Sequence, residues 1–187
     1  EIMSSDWSSD VCSSDLVIVA GYNVKKTKLP KLARSVGMVF QNLNTQLFNT
    51  TVQEEIEFGL NNLNLNRNWA QEAMEFLNIS HLSDRMPMNL SAGQKQRVVL
   101  ASIIAMHPKL LILDEPTAHL DIQSKISLKD WLIKLNQKNN TTILIIEQDP
   151  WLLGEICKDL LFLENKTIKR VPKDILLKKV QTWSWRY

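Results

Sequence analysis

LSAGQKQRVVLASIIAMHPKLLILDEPTAHLD, residues 90–121, passes from a polar, glycine-containing turn to an apolar helix and then to an apolar strand that ends in two acids. A helix is predicted from Ala92 to about Met106: Val98, Val99, Ser102 and Ile103 recur at helical spacing, and His107-Pro108 stops it. Leu110–Asp114 then reads as a buried strand, its apolar residues running without alternation up to the acids. A helix opened by Ser91-Ala92-Gly93 is an anion site, because its free backbone N–H groups and positive dipole end favour phosphate. Gly93 would let the main chain approach closely and Ser91 adds a hydroxyl, although on its own Ser91 reads first as an N-cap. Asp114 and Glu115 fall at the strand edge where α/β proteins bind ligands. There Asp114 can hold Mg²⁺ through water, and Glu115 can orient or deprotonate an attacking water. Two acids can also simply solvate a strand end, but Pro116 stiffens the turn and Asp121 follows, and both favour a site.

Outward from this stretch, short β-rich runs alternate with helical ones, the pattern of an α/β domain with a largely parallel sheet. Val17–Ala20 and Val36–Phe40 read as strands around a basic connection, Gly21–Ser35. Thr51–Leu60 opens a helical region, and Asn66–Asn78 fits an amphipathic helix. Leu128, Trp131, Leu132 and Leu135 form the stripe of a helix covering a sheet, followed by a strand at Thr141–Ile146. Leu160–Leu163 and Thr167–Arg170, joined by Glu164-Asn165-Lys166, predict a hairpin, while Val180–Tyr187 carries no clear signal.

The chain has 187 residues, 44% hydrophobic and 22% charged, the composition of one globular domain. A net charge of +2 is too weak to argue for nucleic acid or an anionic membrane as partner. The longest apolar runs fall far short of the roughly 20 residues that a spanning helix needs. Cys12 and Cys157 form no disulfide framework or metal spacing, and neither His81 nor His119 has a partner at ligand spacing. A reducing, cytoplasmic setting is the expectation. Residues 1–16 differ in texture: Ser-Ser-Asp occurs three times without apolar periodicity, which reads as a foreign or disordered leader.

Leu90–Arg97 resembles the signature motif of the ATP-binding cassette (ABC) ATPases, and Leu110–Thr117 resembles their Walker B strand. Ala118–Asp121 is similar to the family's D-loop, and Gln41 stands where its Q-loop glutamine belongs. Phe40-Gln41-Asn42, Thr45–Phe48, Thr51–Ile56 and Phe58-Gly59 look most like the energy-coupling factor and cobalt-type importers. The resemblance implies a P-loop NTPase-like (RecA-like) α/β domain over residues 17–177, with a helical signature subdomain at about 51–106 and a tail at 178–187. It further implies ATP and Mg²⁺ as ligands. Gln41 and Asp114 would position the metal, Glu115 would act as base, and Gln148 would stand at the switch position. Ser91, Gly93 and Gln94 would close over ATP held by a second ATPase subunit, with Asp121 linking the two sites. The expected partners are that subunit and a transmembrane transporter subunit, at the cytoplasmic face of the membrane, with no nucleic acid.

Two departures qualify this. The 187 residues contain no G-x-x-x-x-G-K-[ST], the loop whose backbone cradles phosphates; the nearest stretch, Gly21–Thr27, has Lys25 where the second glycine would be. In the family that loop precedes the strand that Val17–Ala20 resembles, so the chain is expected to lack the N-terminal strands and phosphate loop. At Ile145–Asp149 the family's switch histidine is replaced by Gln148, which can hydrogen-bond but cannot take up a proton at neutral pH. The rival expectations are a non-catalytic subunit that supplies only its signature motif to a partner, and a soluble cassette protein of translation or DNA repair.

Overall fold

The computed structural model describes residues 17–118 and 120–172; the expected leader 1–16, His119 and the tail 178–187 lie outside the described residues. In chain order the elements are β1 (Ile18–Val19), β2 (Tyr22–Asn23), α1 (Leu29–Ala33), β3 (Val36–Val39), α2 (Val52–Asn62), α3 (Asn68–Phe76) and α4 (Ala92–Ile104). They continue with β4 (Leu110–Asp114), α5 (Ile122–Asn139), β5 (Thr142–Ile146), α6 (Pro150–Ile156), β6 (Leu160–Glu164) and β7 (Thr167–Val171). The α/β architecture is the expected one: β3, β4 and β5 form a parallel sheet in that order, with Val39 opposite Leu113 and Asp114 opposite Ile146. The expected hairpin is present as β6–β7, with Leu160 opposite Val171 and Glu164 opposite Thr167, each strand one residue longer than the sequence predicts.

The N-terminal stretch departs from the reading. Val17–Ala20 is no strand of the parallel sheet; Ile18–Val19 turns back onto Tyr22–Asn23 as a small antiparallel hairpin. Ala20 (φ 50°) and Gly21 (φ 81°) are both left-handed, the pair of conformations that a tight two-residue hairpin turn demands. The segment read as a basic connection therefore contains β2, and it also contains α1, started by Pro30 in its first turn. Helix α6 is a further element outside the reading; it has only seven residues, too few to show periodicity.

Ladder and packing define one buried face. Val39, Leu111 and Leu113 are at most 1% exposed and join the same core as Ile56 and Leu60 of α2, Ala73 and Met74 of α3 and Val98–Ala101 of α4. Helix α4 is the hub, packing against α2, α3 and β3. At Gly37 a Cβ would lie 2.1 Å from Ile103 Cγ2, a methyl on a χ1-stiff side chain, so glycine lets β3 approach α4. The other sheet face carries Met38, Leu144 and Ile146, all exposed. A parallel sheet of this kind is usually covered on both faces.

Candidate functional site

Three adjacent parallel strands deliver three loops to one edge: Phe40-Gln41 after β3, Glu115-Pro116 after β4, and Glu147-Gln148 after β5. Glu115 is left-handed at φ 45°, an unusual conformation for a non-glycine residue, while its N–H continues the ladder to Ile146 O at 2.8 Å. Its carboxylate is held from both sides. Gln41 Nε2 donates to Oε2 at 2.5 Å and Gln148 Nε2 donates to Oε1 at 2.6 Å. Because an ionised carboxylate only accepts, both amides must turn their NH₂ groups toward it. The carbonyl oxygens of Gln41 and Gln148 are thereby left as acceptors beside the carboxylate, suited to a water O–H or a hard cation. The structure thus gathers three residues that stand 74 and 33 positions apart in sequence.

Asp114 ends β4, half-buried, with no side-chain hydrogen bond or ion pair among the described residues. Among the described residues no group of three His, Cys, Asp or Glu side chains could cage a metal alone. A single carboxylate suits Mg²⁺, which keeps its waters and takes its remaining ligands from phosphates.

Glu147 is the residue the sequence reading passed over. Its Oε2 accepts from Thr117 N (3.1 Å) and Oγ1 (2.6 Å), and its Oε1 accepts from Gln148 N (2.8 Å) and Asp149 N (3.1 Å). Asp149 in turn is paired with Lys125 at 2.7 Å. Gln96, buried in α4, donates to Pro116 O, so the turn after Glu115 is tied to α4 as well. Lys95 Nζ donates to Asn44 Oδ1 at 2.9 Å, which fastens α4 to the segment after Gln41. The bonds from Gln148 N and Asp149 N lie within Glu147's own loop; the others span two loops or a loop and a helix, and no local pattern marks them.

Ser91, Gly93 and Gln94 lie elsewhere, in the first turn of α4, and among the described residues no hydrogen bond joins them to the Glu115 trio. Ser91 is the N-cap in a reciprocal box: its Oγ accepts from Gln94 N at 3.3 Å, and Gln94 Oε1 accepts from Ser91 N at 3.0 Å. Ser91 is nonetheless exposed, as an anion ligand must be. Gly93 has a second reason to be glycine, since a Cβ there would meet Ser124 Oγ at 2.8 Å. Ser124 belongs to the first turn of α5, where Asp121 is the N-cap and accepts from Ser124 N at 2.8 Å. The two helix starts are thus neighbours.

The hydrogen bond from Ser124 N holds the Asp121 carboxyl below its ordinary pKa. A lowered folded-state pKa means that the charged cap contributes fully above about pH 4 and fades as pH falls through the lowered value. Asp121→Asn, which caps without titrating, should flatten the acid limb in a pH series of thermal melts.

A family model described as ABC transporter matches residues 9–118. A Pyrococcus horikoshii protein, assigned by name to the ABC transporter ATP-binding proteins, is 39% identical over 74% of this chain and 50% of its own length. The energy-coupling factor transporter ATP-binding protein EcfA2 of Bacillus subtilis is 37% identical over 90% of this chain and 63% of its own length. The chain thus spans half to about two thirds of the length of these curated relatives. Among solved structures, CbiO1 from Clostridium perfringens, described as part of the ABC transporter complex CbiONQ, superposes with a TM-score of 0.78 at 29% identity. The superposition covers 92% of this chain and 72% of that one.

Proposed function

We propose that this chain, which belongs to the ABC transporter family, acts as the ATP-binding subunit of an importer of the energy-coupling factor type, taking up a vitamin or a metal ion. The observation that carries the reading is Glu115 held between Gln41 and Gln148 at the C-terminal edge of the parallel sheet. In this reading Asp114 and Gln41 would hold Mg²⁺, which would neutralise charge on the ATP phosphates. Glu115 accepts the proton of the attacking water. Gln148 orients that water through its free carbonyl oxygen while its NH₂ fixes Glu115. Ser91 and Gly93, with Gln94 completing the cap, present the α4 N-terminus to ATP held by a second ATPase subunit. Asp121, one contact from Gly93 through Ser124, joins the two sites. The 187 residues themselves supply no phosphate-cradling loop. The domain division at 17–177 with helices at about 51–106 belongs to the same reading.

Phe48 and Phe58 support the importer assignment. They are 61% and 45% exposed and meet edge to face at 4.8 Å. The loop that carries Phe48 is fixed by buried Glu55, which accepts from Phe48 N and Asn49 N at 2.9 Å each. An exposed aromatic pair, Phe58 on α2 and Phe48 on a loop fixed to that helix, reads as a docking surface rather than a core remnant. It fits a cytoplasmic helix of a membrane subunit; among the described residues no helix is long and apolar enough to cross a membrane. With a membrane subunit of an energy-coupling factor importer co-expressed, Phe48→Asp should cut co-purification about tenfold. Leu161→Asp, at another exposed position, on β6, should leave it intact. Full retention with Phe48→Asp would remove this surface from the importer reading.

A further inference from the structure

We propose that Glu147 is a positioning residue that locks the turn after Glu115 to the loop bearing Gln148, so that a glutamine can serve at the switch position. The inference rests on the ATPase reading above. One carboxylate receives four donors: two from Thr117 on the Glu115 side, and the backbone N–H groups of Gln148 and Asp149 on the other. Four bonds use the acceptor capacity of an ionised carboxylate, and Thr117 is only 4% exposed, so the clamp is sheltered from competing water.

The need for such a clamp follows from the chemistry of residue 148. A glutamine has more rotatable bonds than a histidine ring, and its amide must reach Glu115 Oε1 at 2.6 Å from an exposed loop. Holding that side chain in one rotamer costs conformational entropy. The cost is tolerable only if the backbone it springs from is already fixed relative to Glu115. Glu147 provides that fixation, because the same carboxylate grips both backbones. It touches no reacting atom and acts only through Gln148 and Glu115.

Glu147→Gln is the discriminating change. An amide has one acceptor oxygen, so it can accept from the backbone N–H of Thr117 or from those of Gln148 and Asp149 but not from both sides. In the full gene product kcat should fall about 10- to 100-fold with KM for ATP within about twofold, the cost of a small misplacement. The side-chain NH₂ resonance of Gln148 should move toward its position in Glu115→Ala. Glu147→Asp, which keeps both oxygens, should restore part of the rate. Thr117→Val, which removes a single donor, should give a smaller loss and guards against a Glu147 variant that fails to fold. An unmoved Gln148 resonance together with an unchanged kcat would overturn the proposal, as would a parallel loss in Lys125→Ala, which releases only the neighbouring Asp149 ion pair. The resonance arm needs no turnover. A clamp that shifts it in a protein that hydrolyses nothing would support the positioning and sink the ATPase reading separately.

Discussion

Glu115→Gln in the full gene product should slow ATP hydrolysis by about 10²- to 10⁴-fold, the range that a positioned general base contributes, with nucleotide affinity changed far less. The substitution is close to isosteric, so Pro116, its bond from Gln96 and the Thr117–Glu147 clamp should survive. What changes is the ability to accept a proton. An amide at 115 also presents one oxygen and one NH₂ where the native residue offers two acceptors, so either Gln41 or Gln148 must turn its own carbonyl oxygen inward. That rotation conserves the hydrogen bonds, which is why binding should be spared while the chemical step is not. Single-turnover hydrolysis beside equilibrium nucleotide binding separates the two. A rate within about threefold of wild type would show that no proton passes to residue 115 and that the trio is structural.

The parts of this molecule that the sequence discloses are those decided by local pattern. Ser91 and Gln94, like Thr51 and Glu54, stand three residues apart before apolar runs, and each pair forms the reciprocal cap that this spacing predicts. Leu110–Leu113 runs apolar because β4 lies between two parallel neighbours. The hairpin at β1–β2 was hidden because Ala20, a residue with no preference for left-handed backbone, takes that conformation beside Gly21. Helix α1 was hidden by its brevity; five residues are too few to show periodicity.

At the site the division is the same. That Gln41, Asp114, Glu115 and Gln148 share one edge is legible because each ends or closely follows a strand, and parallel strands bring their C-terminal ends to one edge. Their bonding is not legible. Nothing in Glu147-Gln148 says that the first residue grips two loops and the second reaches across to Glu115, since those partners are 30 and 33 positions away. Gly93 shows the converse: the sequence supplies a reason for glycine, approach to phosphate, and the fold supplies another, the proximity of Ser124. Helix α4 gathers these contacts, with Lys95 on the Gln41 side and Gln96 on the Glu115 side. A change at its N-terminus therefore meets both the cap and the loops behind it, and a useful variant has to leave the cap standing.

Ser91→Asp meets that requirement and should produce the second large effect. Aspartate caps a helix as well as serine does, and a negative charge at the positive end of α4 adds about 0.3–1 kcal/mol of stability. Thermal stability should hold or rise, and the bonds of Lys95 and Gln96 should persist. Toward a second subunit's nucleotide the effect reverses. A carboxylate about 4 Å from a phosphate charge at a partly solvated interface is opposed by about 4 kcal/mol, close to a 10³-fold loss in ATP-driven association of subunits. Ser91→Ala supplies the contrast: it loses about 1 kcal/mol of cap and introduces no repulsion, so association should suffer much less than with aspartate. Sedimentation of the full gene product with and without Mg-ATP, beside thermal melts, reads both quantities. If Ser91→Asp associates with ATP as wild type does, Ser91 is a helix cap and nothing more, and the α4 N-terminus does not face the nucleotide.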